Sequence, residues 1–420
     1  MITRIQALNY RCLRYVDKGL GPFHLLVGPN ATGKTTFLDV VRFLGQLVAD
    51  GAEAAVRERT GTPQDLTWRR EQDGFELAIE VAFPEPLRER LANPDFDRVR
   101  YEVSVGLDVD GEGVGLRSER VLLRKAEELA EPQRDFFPAL RQPPSSVLLP
   151  KGRSKKEQAL VVSKVKGGND NYMAETVKGY NPSFKQSPKR SALGNLPADE
   201  TSFPVSTWLK AFLTEGIQQF VLNSILMREA SPPGQGKRFR PDGSNLPWVL
   251  QALAEKSDER LREWVEHLRT ALPDLEGIRT VERPDDKHRY LMLKYRGGLE
   301  VPSWVTSDGT LRLLALTLPA YLTDFSGIYL IEEPENGIHP KAVATAYRSL
   351  SSVYDAQILV ATHSPVLLSQ VEADEADRVL CFAKTDEGAT DIVSGDRHPE
   401  LKNWQGDPNL YVLFAGGVLG

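Results

Sequence analysis

Cysteine is scarce: Cys12 and Cys381 are the only two in 420 residues, far apart and in no CxxC or Cys/His cluster. That count excludes a disulfide framework and a structural zinc site, and it fits a reducing cytoplasm. Long apolar runs are also lacking. A membrane helix needs about 18 such residues, and the nearest candidate, 311–322, is broken by Arg312 and Pro319. The first residues alternate at once, with no charged segment leading into an apolar one, so no secretory leader is expected. No membrane association is expected either. An excess of positive charge is missing too: 52 Lys and Arg against 58 Asp and Glu leave −6, no global pull toward nucleic acid. Neither internal repeats nor sustained heptads are present. What remains is an ordinary globular composition, 41% hydrophobic and 26% charged, long enough to bury a large core unaided.

The pattern along the chain reads as α/β. Residues 2–9 and 22–27 read as strands, the second a continuous buried run, and a Gly-rich turn leads into an amphipathic helix from Lys34 to Val48. Alternation over 75–83, 100–109 and 115–123 predicts an antiparallel sheet. Residues 151–203, rich in Lys, Ser, Asn and Gly, read as a mobile insert. Helical spacing resumes at 205–218, 245–256 and 258–272. Strands near 276–283, 288–295, 327–332, 357–361 and 378–383 then alternate with helices, the rhythm of a largely parallel sheet. This divides the chain into 1–150, an insert and helical region at 151–243, and 244–420.

Four short patterns carry chemistry. Gly28-Pro29-Asn30-Ala31-Thr32-Gly33-Lys34-Thr35 is G-x-x-x-x-G-K-T between a strand and a helix. Its glycines let the backbone wrap a phosphate chain, Lys34 supplies a cation to the β and γ oxygens, and Thr35 a hydroxyl to Mg²⁺. Asn30 through Thr36 are therefore nucleotide-binding candidates for ATP. The apolar run 328–331 ends in Glu332 and Glu333, placing one carboxylate toward Mg²⁺ and the other where an attacking water must be polarised. Ser307-Asp308-Gly309 opens a helix, reading either as an N-cap or as a γ-phosphate ligand for a nucleotide held by a second copy; both use the same N–H groups. His363 follows a buried strand that would lie beside the one carrying Glu333, within reach of the γ-phosphate or the water.

In this order, with Glu332-Glu333-Pro334-Glu335-Asn336-Gly337-Ile338-His339-Pro340 and Ala361-Thr362-His363-Ser364-Pro365, the chain resembles the RecF/SMC-like branch of ABC ATPases. Within that branch it is most similar to the ATPases of OLD-type and related anti-phage proteins, over roughly residues 1–60 and 240–385. The stretch Arg240-Pro-Asp-Gly243-Ser-Asn-Leu246 is similar to a segment of that family as well. The resemblance implies an ABC-type P-loop fold with a mostly parallel core sheet, an antiparallel β subdomain and a helical insert. It also implies roles: Lys34 and Thr35 for phosphate and Mg²⁺, Glu332 for the metal shell, and Glu333 as catalytic carboxylate. Ser307 and Gly309 become a signature acting in trans, His363 a switch histidine, and Glu335, Asn336 and Gly337 the loop at the dimer interface. The family's Q-loop glutamine is not assignable among Gln64, Gln72 and Gln142.

Long coiled coils, found in SMC-type relatives, are absent here. Only 57 residues follow His363, too few for the Toprim nuclease domain of full-length OLD proteins. The expected protein is an ATPase forming a homodimer or higher homo-oligomer, a sensor or scaffold in anti-phage defence or DNA maintenance with a separate effector, for which a Toprim-type nuclease is the candidate. A RecF-like repair clamp and a scaffold with little turnover are the alternatives. Residues 151–190 carry ten Lys and Arg against three acids, a local +7, interleaved with Tyr172, Tyr180 and Phe184. That pattern suits phosphate contacts with base stacking, so nucleic acid is an expected ligand of Lys151–Arg190.

Overall fold

Among the described residues, the strands fall into three sheets. A computed structural model describes all residues except 108–112, 128–130, 132, 151–156, 178, 237, 324, 403, 405–408 and 420. The first sheet is antiparallel throughout. It contains β1 (Ile2–Tyr10), β2 (Leu13–Gly19), β4 (Gly74–Ala82), β5 (Arg98–Gly106), β6 (Gly115–Arg124), β7 (Gln158–Val165), β8 (Asp170–Tyr172) and β9 (Ser183–Phe184), in the order β2-β1-β4-β5-β6-β7-β8-β9. The second contains β3 (Phe23–Val27), β10 (Ile217–Phe220), β14 (Ile328–Glu332), β15 (Gln357–Thr362), β16 (Val379–Lys384) and β17 (Thr390–Ser394), ordered β10-β14-β15-β3-β16-β17. All its pairings are parallel except β16 with β17. β11 (Leu275–Glu282), β12 (Arg289–Tyr295) and β13 (Glu300–Pro302) form a small antiparallel third sheet.

Burial follows the periodicity that the residue pattern demands. On β4 and β5, Phe75, Leu77, Ile79 and Val81 pair across from Val105, Val103, Tyr101 and Val99 and face one core. The helix Lys34–Asp50 lies between that face and the parallel sheet, burying Phe37, Leu38, Val41 and Leu44. On the other side of the parallel sheet, Leu25, Val27, Ile331 and Val360 pack with the helices Asp308–Thr317 and Pro340–Ser351. Strands buried on both faces read as near-continuous apolar runs, which is why β14 and β15 were visible in the sequence.

Three expectations are corrected. The segment read as a mobile insert contains β7, β8 and β9, which extend the antiparallel sheet past residue 150. Two of its charged residues are structural. Lys164 is buried and its Nζ donates to Asp170 at 2.9 and 2.8 Å, while Glu175 accepts from Val205 and Ser206 N–H at the start of the helix Pro204–Glu215. Second, the two strands after the helical region do not join the parallel sheet; they pair with each other and with β13. Third, residues 217–220 end the predicted helix as β10, which pairs with β14.

Lys164→Glu would leave two carboxylates buried face to face and should destabilise the fold by about 3–5 kcal/mol. Reversing exposed Lys185 should stay within about 0.5 kcal/mol. Urea midpoints of the two variants check this; equal midpoints would return the segment to a loop.

Candidate functional site

Parallel strands β3, β14 and β15 end at one edge, and their following residues form the site. The loop after β3 turns into the helix Lys34–Asp50 through Gly33, at φ 103°, with no side chain capping the helix start. Its first N–H groups stay open, the ordinary anion site of a helix N-terminus. Gly33 is obligatory on space as well, since a Cβ there would stand 2.4 Å from Thr390 Oγ1. That threonine donates its hydroxyl to Thr32 O at 2.8 Å and its N–H to Cys12 O at 2.9 Å, locking the loop against β17 and the β1–β2 turn.

Lys34 folds back over the loop, its Nζ donating to Gly28 O at 2.6 Å and Pro29 O at 2.9 Å. Partial burial lowers its pKa from the ordinary lysine value, against the pull of Glu333, Glu332 and Glu335. Thr35 Oγ1 donates to Glu332 Oε2 across the gap between β3 and β14. The glutamate side chain therefore spans the gap and meets the hydroxyl directly.

Glu333 sits at φ 48°, a left-handed conformation costing a non-glycine residue roughly 1–3 kcal/mol. Its N–H is held by Ala361 O at 2.8 Å, its Oε2 accepts from Asn336 Nδ2, and its Oε1 lies 3.3 Å from His363 Nδ1. Thr362 Oγ1 donates to Glu335 Oε1 at 2.7 Å, and Glu335 Oε2 is buried without a hydrogen-bond partner among the described residues. Three carboxylates thus surround one ammonium, with an orphaned acceptor among them. That donor set is short of positive charge, and the pair Thr35–Glu332 fits Mg²⁺.

Ser307 caps the helix Asp308–Thr317, accepting from Thr310 N at 3.2 Å, and Asp308 pairs with Arg228 at 2.8 Å. A Cβ on Gly309 would meet Gly337 O at 2.7 Å, so this helix start rests on the loop that follows Glu333. Among the described residues no hydrogen bond joins Ser307 or Gly309 to the phosphate loop. The chain therefore brings Lys34, Thr35, Glu332, Glu333 and His363 together, while the Ser-Asp-Gly helix start meets the loop after Glu333 and, among the described residues, makes no hydrogen bond to the phosphate loop.

Sequence reasoning missed several contributors. Gln219, at the end of β10, lines a cavity of about 330 Å³ with Arg312, Glu332, Glu333 and Asn336. Its only signal was a short polar strand masked by the preceding helix; Gln64, Gln72 and Gln142 are not in this cavity. Asp39, buried within the phosphate-loop helix, accepts from Tyr10 OH at 2.6 Å and from Arg59 Nε at 2.9 Å, tying the β1–β2 turn to that helix. The basic segment offers less than its composition implied. Lys151, Arg153, Lys155, Lys156 and Lys178 lie outside the described residues. Lys164 is buried, Lys189 pairs with Glu53 at 3.1 Å, and the buried Tyr172 stacks on Phe184 at 5.2 Å.

A family model described as "AAA domain, putative AbiEii toxin, Type IV TA system" matches residues 23–369, most of the chain. The chain belongs to this family. Solved structures with the same fold include an Smc head bound to the C-terminal winged-helix domain of ScpA (TM-score 0.54, 13% identity, 94% of this chain and 97% of that one). Another is a Pyrococcus furiosus Smc head with an extended coiled coil bound to the C-terminal domain of ScpA (TM-score 0.51, 13% identity, 94% and 96% covered). At that identity the likeness is one of fold, an ABC-type ATPase head. An OLD nuclease of Thermus scotoductus is 49% identical over 41 residues, which is 10% of this chain and only 8% of that protein. No helix among the described residues is long and apolar enough to cross a membrane.

Asp39 generates a pH prediction. Burial opposes its charge, but Arg59 and Tyr10 overcome this and hold its pKa below the usual carboxylate range. Its contribution is complete at neutral pH and is lost as pH falls through the folded value. Asp39→Asn should cost about 3–5 kcal/mol at pH 7, and the gap to the parent should narrow in acid. Urea unfolding across pH measures it; a constant gap would show that the carboxylate's charge is irrelevant.

Proposed function

We propose that the protein is a cytoplasmic ATPase that binds ATP and Mg²⁺ at the phosphate loop and hydrolyses ATP within a head-to-tail homodimer. Two nucleotides would lie between the loop of one copy and Ser307 and Gly309 of the other. The observation that carries this reading is Glu333, aligned by His363 and Asn336 beside Lys34 and the Thr35–Glu332 pair. Lys34 exchanges its two carbonyl acceptors for phosphate oxygens. Thr35 and Glu332 would hold Mg²⁺, which would supply charge neutralisation to the phosphates. Glu333 accepts the hydrogen bond of a water in line with the γ-phosphorus and takes its proton as the new P–O bond forms and ADP departs. His363 holds the carboxylate in position. The trans role is supported by the capped start of the Ser307 helix, which makes no hydrogen bond to the phosphate loop of its own copy among the described residues.

Biologically, we place this ATPase as sensor or scaffold in a prokaryotic anti-phage or DNA-maintenance system, acting with a separate effector, a nuclease. The family match and the short OLD resemblance support that placement. Nucleic-acid contact through Lys151–Arg190 is a further part of the proposal, carried now by fewer residues, with Lys185, Arg190 and exposed Tyr180 the described candidates.

Lys34→Ala should abolish ATP binding, since no other cation in the loop reaches the β/γ oxygens; titration calorimetry with unchanged affinity would sink the assignment. Glu333→Gln should still bind ATP but turn over on the order of a hundredfold more slowly and accumulate as a dimer with ATP. Phosphate release and light scattering read both. Loss of turnover in Glu332→Gln alone would exchange the two carboxylate roles.

A further inference from the structure

A cavity of about 420 Å³ opens between β10, β14 and the helix Leu246–Lys256. Phe239, Val249, Leu253, Leu322, Phe325 and Tyr329 wall it. Gln218 lines it as well, whereas the next residue, Gln219, lines the cavity beside Glu332 and Glu333, so the two hollows are separate and share β10. The walls are preformed. Phe220 stacks on Phe239 with ring centroids 4.9 Å apart, and Phe325 lies 4.6 Å from Tyr329. Asn245, fully buried, fixes the chain around Phe239: its Nδ2 donates to Gly236 O at 2.9 Å and Arg238 O at 2.6 Å, and its Oδ1 accepts from Arg240 N at 2.8 Å. Gln218 Nε2 donates to Phe239 O from the other side. The stretch Arg240–Leu246, which holds Asn245, therefore shapes this cavity.

One polar group inside it is left over. Tyr329 is 1% exposed, yet its hydroxyl makes no hydrogen bond among the described residues. Burial pushes its pKa far up, so the hydroxyl stays neutral. A buried hydroxyl without a partner is costly. Water repairs it poorly, because a held water needs two to four polar partners and the walls are largely apolar. The charged groups lie at the exposed rim and are engaged there: Arg238 with Glu215 at 3.1 Å, Lys256 with Thr323 Oγ1 at 2.8 Å, and Glu255 with Gln251 at 2.9 Å. An ion inside would lose its hydration and gain no countercharge. Aromatic walls around a single unpaired donor instead suit a flat, uncharged molecule with one acceptor atom, and the volume is that of an ordinary small-molecule site.

We propose that this cavity binds a neutral, planar compound of one or two rings, seated against Phe239, Phe325 and Tyr329 and accepting a hydrogen bond from the Tyr329 hydroxyl. The site is separate from the phosphate loop and does not depend on the ATP reading. Quinoline and naphthalene are the probes, since they share a shape and differ by one ring nitrogen, the acceptor. Equilibrium dialysis against the full chain, at a mildly alkaline pH where quinoline is uncharged, measures both. The parent should bind each of them saturably. Tyr329→Phe should weaken quinoline about tenfold and leave naphthalene unchanged. Ala252→Trp, which fills the cavity from its helical wall, should abolish binding of both. Urea midpoints check folding. Tyr329→Phe should lose no stability, because its hydroxyl holds nothing in the free protein, and it decides alone if Ala252→Trp does not fold. The site is overturned if neither probe binds saturably, if Tyr329→Phe affects the two probes equally, or if a folded Ala252→Trp still binds them.

Discussion

One helix has to satisfy two incompatible demands. Lys34–Asp50 is buried along its body between two sheets, yet its first turn must stay open with its N–H groups unpaired. Burial of Phe37, Leu38, Val41 and Leu44 supplies the anchorage, and the absence of a side-chain cap leaves the start available. Asp39 reconciles the two. Placed between apolar neighbours, it gathers Tyr10 and Arg59, so the β1–β2 turn cannot shift relative to the loop. Thr390 performs the same service from β17, closing on Gly33 so tightly that no other residue fits. The phosphate loop is therefore shaped by residues from both ends of the chain.

The antiparallel sheet shows how much charge the fold buries to reach this arrangement. On the face of β4–β6 away from the core, Arg100 bonds Glu80 at 3.0 Å and Glu102 at 2.7 Å, and Arg124 bonds Glu80 at 2.7 Å. The segment before β7 covers this layer, with Val147 O and Leu149 O accepting from Arg100 and Arg120 at 2.7 Å. Such pairs gain little net stability over apolar packing, but removing one partner is costly. They specify register: a one-residue slip of β5 would drive Arg100 and Glu102 into the apolar core. The site makes the opposite use of charge, setting Glu332, Glu333 and Glu335 around one ammonium, an imbalance that favours cations and phosphate arriving together.

Much of this was legible in the residues alone, and the reason is locality. The phosphate loop, the strand ending Glu332-Glu333 and the strand before His363 each encode their role within a few residues, where apolar runs and Gly-Lys-Thr spacing leave little choice. The periodicity of β4, β5 and β6 likewise dictated an antiparallel sheet. By contrast, residues 151–203 looked like loop because their charges are paired at a distance: Lys164 has its Asp170, and Glu175 has the start of a helix 30 residues on. A buried ion pair is invisible to a pattern that scores polarity as exposure. β10 was hidden because IQQF has no strand signature until β14 lies beside it.

Chemical candidacy was thus determined by sequence: which residues qualify as candidates to bind phosphate, hold Mg²⁺ and polarise water follows from side-chain type and spacing. Which of them meet was decided only by the tertiary structure. Parallel pairing of β14 with β15 and of β15 with β3 sets Thr35 against Glu332 and His363 against Glu333, contacts that cross 297 residues in one case. It also turned Thr390, Asp39 and Gln219 from unremarked residues into neighbours of the site and set the helix start at Gly309 against the loop after Glu333. Sheet order and register are collective properties, fixed by burial on two faces at once, and no short stretch of sequence contains them.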